Sequence, residues 1–229
     1  MSDIFREVEE DVRSAQLKAL WDRYGILVIG AAVAIVMATG IGVYWQDMQR
    51  AKREAAAMQF LAGEKLLLDG KAGEAVAHFT KFAQETGIEG YALLARMKEA
   101  AAKIDAKDVP GAVAAYDALA ADSSMDPLWR AVASLKAAML LFDTASADEM
   151  KLRLNPLAKD DGPVRYSARE MLAFLALREN SLDAARKQFQ ELADALGAPQ
   201  SVRARAAEIL QTFPPAPPVA TPASDPAKK

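Results

Sequence analysis

Residues 69–79 read DGKAGEAVAHF. Asp69-Gly70-Lys71 carries the residue types that turn a chain and start a helix, and Ala75 and Phe79 then stand one helical turn apart on one face. The same device returns downstream. The turn DAKDVPG, from Asp105 to Gly111, precedes Ala112 and Tyr116, and Glu179-Asn180-Ser181 precedes Ala185 and Phe189. The first two of these Ala-x3-aromatic pairs are 37 residues apart and the last two are 73 apart, about two periods, with Asp148 and Leu152 standing at the skipped position. A small residue lets the two helices of a unit approach closely, and the ring four residues on fills space toward the next unit.

A second set of signals keeps nearly the same period. Pro127, Pro163 and Pro199 are 36 residues apart, and each precedes a stretch with helical patterning. Proline suits the first position of a helix, where its missing N–H would be unpaired anyway. One period before Pro127 lies Tyr91, which opens YALLARMKEAAAKI after a break at Gly87 to Gly90. These residues resemble the tetratricopeptide repeat, a helix–turn–helix of about 34 residues with an Ala-x3-aromatic pair and a terminal proline. The resemblance covers residues 50–211 but departs in its longer period and in lacking most of the Trp, Leu-Gly and Tyr signature of the first helix. The alternative is an unrelated helical bundle. Each unit alone exposes an apolar face, so stacking is obligatory. The expected fold is all-α: a single transmembrane helix, then a solenoid of about four helix pairs plus a capping helix, Gln200 to Gln211, with Arg203, Arg205 and Glu208 toward water.

The transmembrane expectation rests on residues 24–46, YGILVIGAAVAIVMATGIGVYWQ, which carry no charge. As a helix they span roughly 34 Å, enough to cross a hydrocarbon core of about 30 Å. Tyr24 at one end and Tyr44 and Trp45 at the other stand where amphipathic rings prefer the headgroup level. The preceding region is too long and too acidic for a signal peptide, and no A-x-A-like site follows, so an uncleaved anchor is expected. Arg6, Arg13, Lys18 and Arg23 flank it on one side and Arg50, Lys52 and Arg53 on the other. This bias places the N-terminus inside and the larger domain outside. Gly30, Ala34, Ala38 and Gly42 recur every four residues and form a candidate contact with a partner membrane helix, although Gly and Ala are common in such helices. Residues 1–23 read as a cytoplasmic amphipathic segment, with Ile4, Val8, Val12, Ala15 and Ala19 at helical spacing. Residues 47–211 form the repeat domain. Residues 212–229, TFPPAPPVATPASDPAKK, hold six of the eleven prolines and read as a disordered or extended tail, either a linker-like end or a ligand for another protein.

Composition narrows the function. The net charge is −3 with no basic block, so nucleic-acid binding has no support. There is no cysteine, which excludes disulfides, thiolate metal sites and cysteine nucleophiles. The one histidine, His78, has no second histidine to build a metal site with, and no phosphate loop, dinucleotide fingerprint or nucleophile elbow appears. No enzyme, cofactor or metal is expected. Protein binding remains. Aligning units on the Ala-aromatic pairs puts Phe60, Glu64, Met97, Ala101, Arg130, Ala133, Glu170 and Phe174 on the first-helix side that would line a groove, a mixed surface suited to an amphipathic or unfolded segment.

The order of parts, with Asp22-Arg23-Tyr24-Gly25 leading into the apolar run and degenerate repeats following, resembles the YfgM-like family of ancillary subunits of the bacterial Sec translocon. That resemblance implies an inner-membrane protein with a cytoplasmic N-terminus and periplasmic repeats. Its implied partners are translocon subunits, a membrane-anchored periplasmic chaperone and exported client polypeptides. The alternative is an assembly factor for an envelope or cell-division complex. The Pro-rich tail departs from the family pattern.

Overall fold

The computed structural model describes residues 3–214, the side chains of residues 3–16 and Ala19 excepted. The expected tail beyond Pro214 and most of the amphipathic segment's side chains therefore lie outside the described residues. The described chain is all helix, with no strand: α1 Asp3–Leu68, α2 Ala72–Glu85, α3 Glu89–Asp105, α4 Val109–Ala121, α5 Pro127–Leu141, α6 Ala147–Leu154, α7 Arg165–Arg178, α8 Leu182–Asp194 and α9 Gln200–Gln211. The end of α1 serves as the first helix of the first pair, so the architecture is four pairs and the capping helix α9. No proline occurs before Pro110, and the sequence pattern shows no stop signal until Asp69-Gly70. This is why segment, anchor and first repeat helix share one helix where the sequence suggested separate elements.

The chain divides into two compact units, residues 1–59 and 60–229. In the first, the most apolar part of α1 has mean hydropathy 2.5, and none of it is buried. Ile26, Ile29, Val33, Val36, Met37 and Ile41 all lie open around the helix. An apolar helix exposed on every side is compatible with a single-pass membrane anchor, because lipid accepts the side chains and the helix satisfies its own backbone.

In the second unit the helices pack in chain order, α2 on α3, α3 on α4, α4 on α5, α5 on α6, α6 on α7, α7 on α8 and α8 on α9. The apolar interior runs along the array as successive clusters. Ala100, Tyr116, Leu119, Ala133 and Ala137 form one cluster. Ala138, Met150, Leu154, Ala168 and Leu175 form the next. Ala173, Ala185, Phe189, Leu192, Val202 and Ala206 follow. Tetratricopeptide arrays are built this way, each unit covering the apolar face of its neighbour.

Local chemistry sets where the helices start and stop. Asp108 accepts from the Gly111 N–H at 2.9 Å, Asp126 from Leu128 at 2.8 Å and Ser146 from Glu149 at 3.2 Å, capping α4, α5 and α6. The three prolines of the period occupy three different places. Pro127 opens α5, Pro163 sits in the turn before α7, and Pro199 precedes α9 as its N-cap. Three of the four intra-pair turns are the same Schellman turn. In each, one residue adopts positive φ: Gly70 at 73°, Lys107 at 65° and Asn180 at 57°. The next N–H closes back on the helix, Lys71 to Leu66, Asp108 to Lys103 and Ser181 to Ala176. The third pair has no such residue; Thr144 and Ala145 both donate to the Leu141 carbonyl instead.

The third pair also shifts register. The sequence placed Asp148 and Leu152 at its Ala-aromatic position, but the structure buries Met150 and Leu154 there and leaves Leu152 exposed. The flexible Met side chain fills the place of the alanine, and α6 is only 8 residues long.

At Gly63 a Cβ would stand 2.6 Å from Phe79 Cζ and 2.9 Å from His78 Cδ2. Phe79 is fully buried and cannot retreat. Gly63→Ala should therefore lower stability by roughly 1–3 kcal/mol. Lys107→Gly, which relieves an L-residue in the left-handed region, should raise it by roughly 0.5–1 kcal/mol. Denaturant titration of the full chain in detergent, followed by far-UV circular dichroism, checks both signs.

Candidate protein-binding surface

The buried pairs Ala75/Phe79, Ala112/Tyr116, Met150/Leu154 and Ala185/Phe189 each face a small residue on the first helix of their unit. These are Gly63, Ala100, Ala138 and Ala173, all buried. Counting from them places equivalent positions on one face. The residue after each is Glu64, Ala101, Met139 and Phe174; the residue three before is Phe60, Met97, Leu135 and Glu170. Six of the eight residues expected from sequence hold these positions. Phe60 is half-buried against the rings of Phe79 (5.6 Å) and Tyr91 (6.1 Å). Glu64 pairs with Lys98 at 2.8 Å. Met97 packs partly against the α3–α5 core, and Ala101 is half-buried. Phe174 is 37% exposed and stands edge-on to Phe189 at 5.2 Å.

Glu170 is only 8% exposed. Both its carboxylate oxygens accept from Arg205, at 2.8 and 2.7 Å, which ties α7 to α9. It is a strut between units and does not point a free charge into a groove.

The other two positions are corrected. Ala133 is 0% exposed, inside the cluster with Ala100, Tyr116 and Leu119. Arg130 turns back to donate to the Ala120 carbonyl at 3.2 Å. Arg130 and Ala133 precede the equivalent positions by five and six residues, which at about 100° per residue places them on other faces of α5. The structure puts Leu135 and Met139 at the equivalent positions. Met139, 59% exposed, lines a depression of about 240 Å³ with Phe142, Asp143, Met171 and Phe174. The signal in the sequence was Leu154, whose spacing to Met150 copies the Ala-x3-aromatic pair without an aromatic residue.

Polar contacts fasten neighbouring units. Arg153 forks onto Asp117 at 2.8 and 3.2 Å, and Arg178 donates to the carbonyls of Phe142 and Ala145. Lys151 pairs with Glu179 at 2.7 Å. Asp117–Arg153, Phe142–Arg178 and Glu170–Arg205 are each separated by 35 or 36 residues, one repeat. Hydrogen bonds to Asp117 and to Glu170 raise the pKa of Arg153 and Arg205 respectively, so both cations persist at every relevant pH. Burial pushes the Tyr116 hydroxyl up as well. Between α4 and α5 the Asp122 carboxylate accepts from the Ser124 hydroxyl at 2.6 Å and from Arg96 at 2.9 Å. Hydrogen bonds from Ser124, then from Arg96, hold it down to about 2.

Among the described residues no group of three or more His, Asp or Glu is placed to hold a metal ion. His78 packs on Phe79 and Phe82, with its ring stacked on Phe82 at 6.5 Å.

Stacked helix pairs with a first-helix face left partly open define an α-helical repeat scaffold, a fold that presents a surface to other proteins. The chain belongs to the tetratricopeptide repeat-like domain family, whose model matches residues 18–211. No curated protein and no solved structure matches it.

Removing Arg205 strands a nearly buried carboxylate. Because the Arg side chain is itself half exposed, Arg205→Ala should cost about 1–2 kcal/mol, measured by denaturant titration at pH 7. Asp122 gives a pH test. Its folded pKa is depressed, so its contribution is present above the ordinary value near 3.8 and is lost as pH falls toward 2. The stability gap between the native chain and Asp122→Asn should hold from pH 7 to about 4 and close by about pH 2.

Proposed function

We propose that this chain is a non-enzymatic, membrane-anchored scaffold of the bacterial inner membrane, with its N-terminus in the cytoplasm and its repeats in the periplasm. There it holds proteins at the Sec translocon and assists export or folding of client polypeptides. One observation carries the reading: the family match from residue 18 to 211 takes in the charge-free stretch at 24–46 together with all four helix pairs. Anchor and repeats are thus parts of one shared design, and a tethered binding surface is useful where polypeptides emerge from a membrane.

The open face supports a client of mixed character. Met139 and Phe174 offer adaptable apolar contact, and Asp143 stands at the edge. Methionine-rich surfaces adjust to varied partners, which suits unfolded segments better than one fixed ligand. Within the anchor, Gly30, Ala34, Ala38 and Gly42 are exposed, and a Cβ at Gly30 or Gly42 would meet nothing within 4 Å. A partner membrane helix could approach closely along them.

Affinity purification of the full chain in mild detergent tests the reading. Channel subunits and a membrane-anchored chaperone should co-purify. Recovery of division or wall-synthesis proteins without channel subunits would transfer the chain to envelope assembly. The double variant Gly30→Leu with Gly42→Leu should reduce recovery of the membrane partner severalfold while leaving helix content unchanged.

A further inference from the structure

The apolar surface of α1 does not begin at Tyr24. Leu17, Leu20 and Trp21 precede it, and all three side chains lie open. With Tyr24 they hold the i, i+3, i+4 and i+7 positions of one helix face, within about 100° of one another. Val28 continues that face into the charge-free stretch. Lys18, Asp22 and Arg23 fall elsewhere around the helix. The two turns before the charge-free stretch are thus apolar on one side and charged on the other.

Trp21 is seated on this face. Its indole lies over Gly25, where a Cβ would stand 3.1 Å from ring atom Cε2 and 3.3 Å from Nε1. Among the described residues from 17 to 50, Gly25 alone is buried. The missing side chain leaves room for the ring to lie along the helix. No group among the described residues accepts a hydrogen bond from the indole N–H. The Arg23 guanidinium stands over the Tyr24 ring at 5.6 Å.

Helix length places this seat against a bilayer. Trp21 and Trp45 are roughly 36 Å apart along the axis. A hydrocarbon core is about 30 Å thick, and its headgroup layers bring the total to about 40–45 Å. With Trp45 at one margin of the core, Trp21 falls in the opposite headgroup layer and Leu17 near its outer edge.

We propose that Leu17, Leu20, Trp21 and Tyr24 form a lipid-binding face that seats α1 in the headgroup layer at the N-terminal end of the anchor. The face is continuous with a stretch that is apolar all round, so the lipid that covers the one extends over the other. The headgroup layer also supplies what these side chains lack. Ester and phosphate oxygens accept from the indole N–H, and phosphates pair with Lys18 and Arg23. Membrane contact then begins about two turns before the boundary expected between residues 23 and 24. This rests on the membrane anchor of the proposed function and names the residues that hold it at its depth.

Fluorescence of the full chain in vesicles of phosphatidylcholine and phosphatidylglycerol tests it. In the double variant Trp45→Phe with Trp129→Phe, Trp21 is the one tryptophan left. Lipids brominated just below the headgroup should quench it severalfold more than lipids brominated at the chain ends. Acrylamide in the water should quench it severalfold less than free tryptophan amide. Adding Leu20→Asp should raise acrylamide quenching severalfold, with helix content unchanged by circular dichroism. Absence of lipid quenching, equal quenching by both lipids, or no response to Leu20→Asp overturns the inference. Protection from acrylamide without lipid quenching also overturns it, because protein then covers the face. The chain has no cysteine, so a nitrobenzoxadiazole dye on Leu20→Cys repeats the depth measurement with all three tryptophans in place. The variant Trp21→Phe with Trp129→Phe leaves Trp45 to report the other end. Lipid quenching of Trp45 but not of Trp21 sinks this inference and leaves the anchor standing; quenching of neither sinks both.

Discussion

The contact on which the repeat domain depends is that of a small residue on the first helix of each pair with a buried side chain on the second. Gly63 against Phe79 is its tightest instance, with no room for even a methyl group. Ala100, Ala138 and Ala173 serve the later units, where Ala replaces Gly and the facing side chain is Tyr116, Leu154 or Phe189. Close approach at this point sets the spacing within each pair. The angle at which each unit meets the next follows from it, because the buried ring must also be covered by the following unit. The open face is a by-product: residues adjacent to the small position turn outward once it is buried.

The third pair shows how much deviation this contact tolerates. Met150 takes the alanine's place and Leu154 that of the ring, α6 shortens, and the turn before it abandons the left-handed residue used elsewhere. The interior stays filled because Met conforms to irregular space. Polar struts compensate for the shorter helix: Arg153 reaches back to Asp117, Lys151 reaches forward to Glu179, and Arg178 covers the exposed carbonyls at the end of α5. The same pair carries the most open apolar side chain among the equivalent first-helix positions, Met139. The exposed depression opens at the pair that has lost the regular motif, with Met139 and Phe142 among its walls.

The anchor obeys a different constraint. The most apolar part of this stretch is exposed on every face, so the solvent must supply what packing supplies in the repeats. One helix, α1, meets both demands. Its apolar stretch is followed by Arg50, Lys52 and Arg53 and then by the small and aromatic positions of the first repeat, all without a helix-breaking residue.

The sequence by itself determined the helical class, the four pairs with a cap and the charge-free stretch. These features rest on short-range rules: helical periodicity, turn chemistry and the span a helix needs to cross a bilayer. Tertiary structure decided the rest. It showed Glu170 to be a strut, because only the fold brings Arg205, 35 residues away, onto its carboxylate. It buried Ala133 and turned out Met139, because the register of the third pair is set by which residues fill the space left by its neighbours, and no local pattern states how large that space is. It also pinned Phe213 and Pro214 to α8, a contact between residues whose adjacency depends on the stacking of α8 and α9.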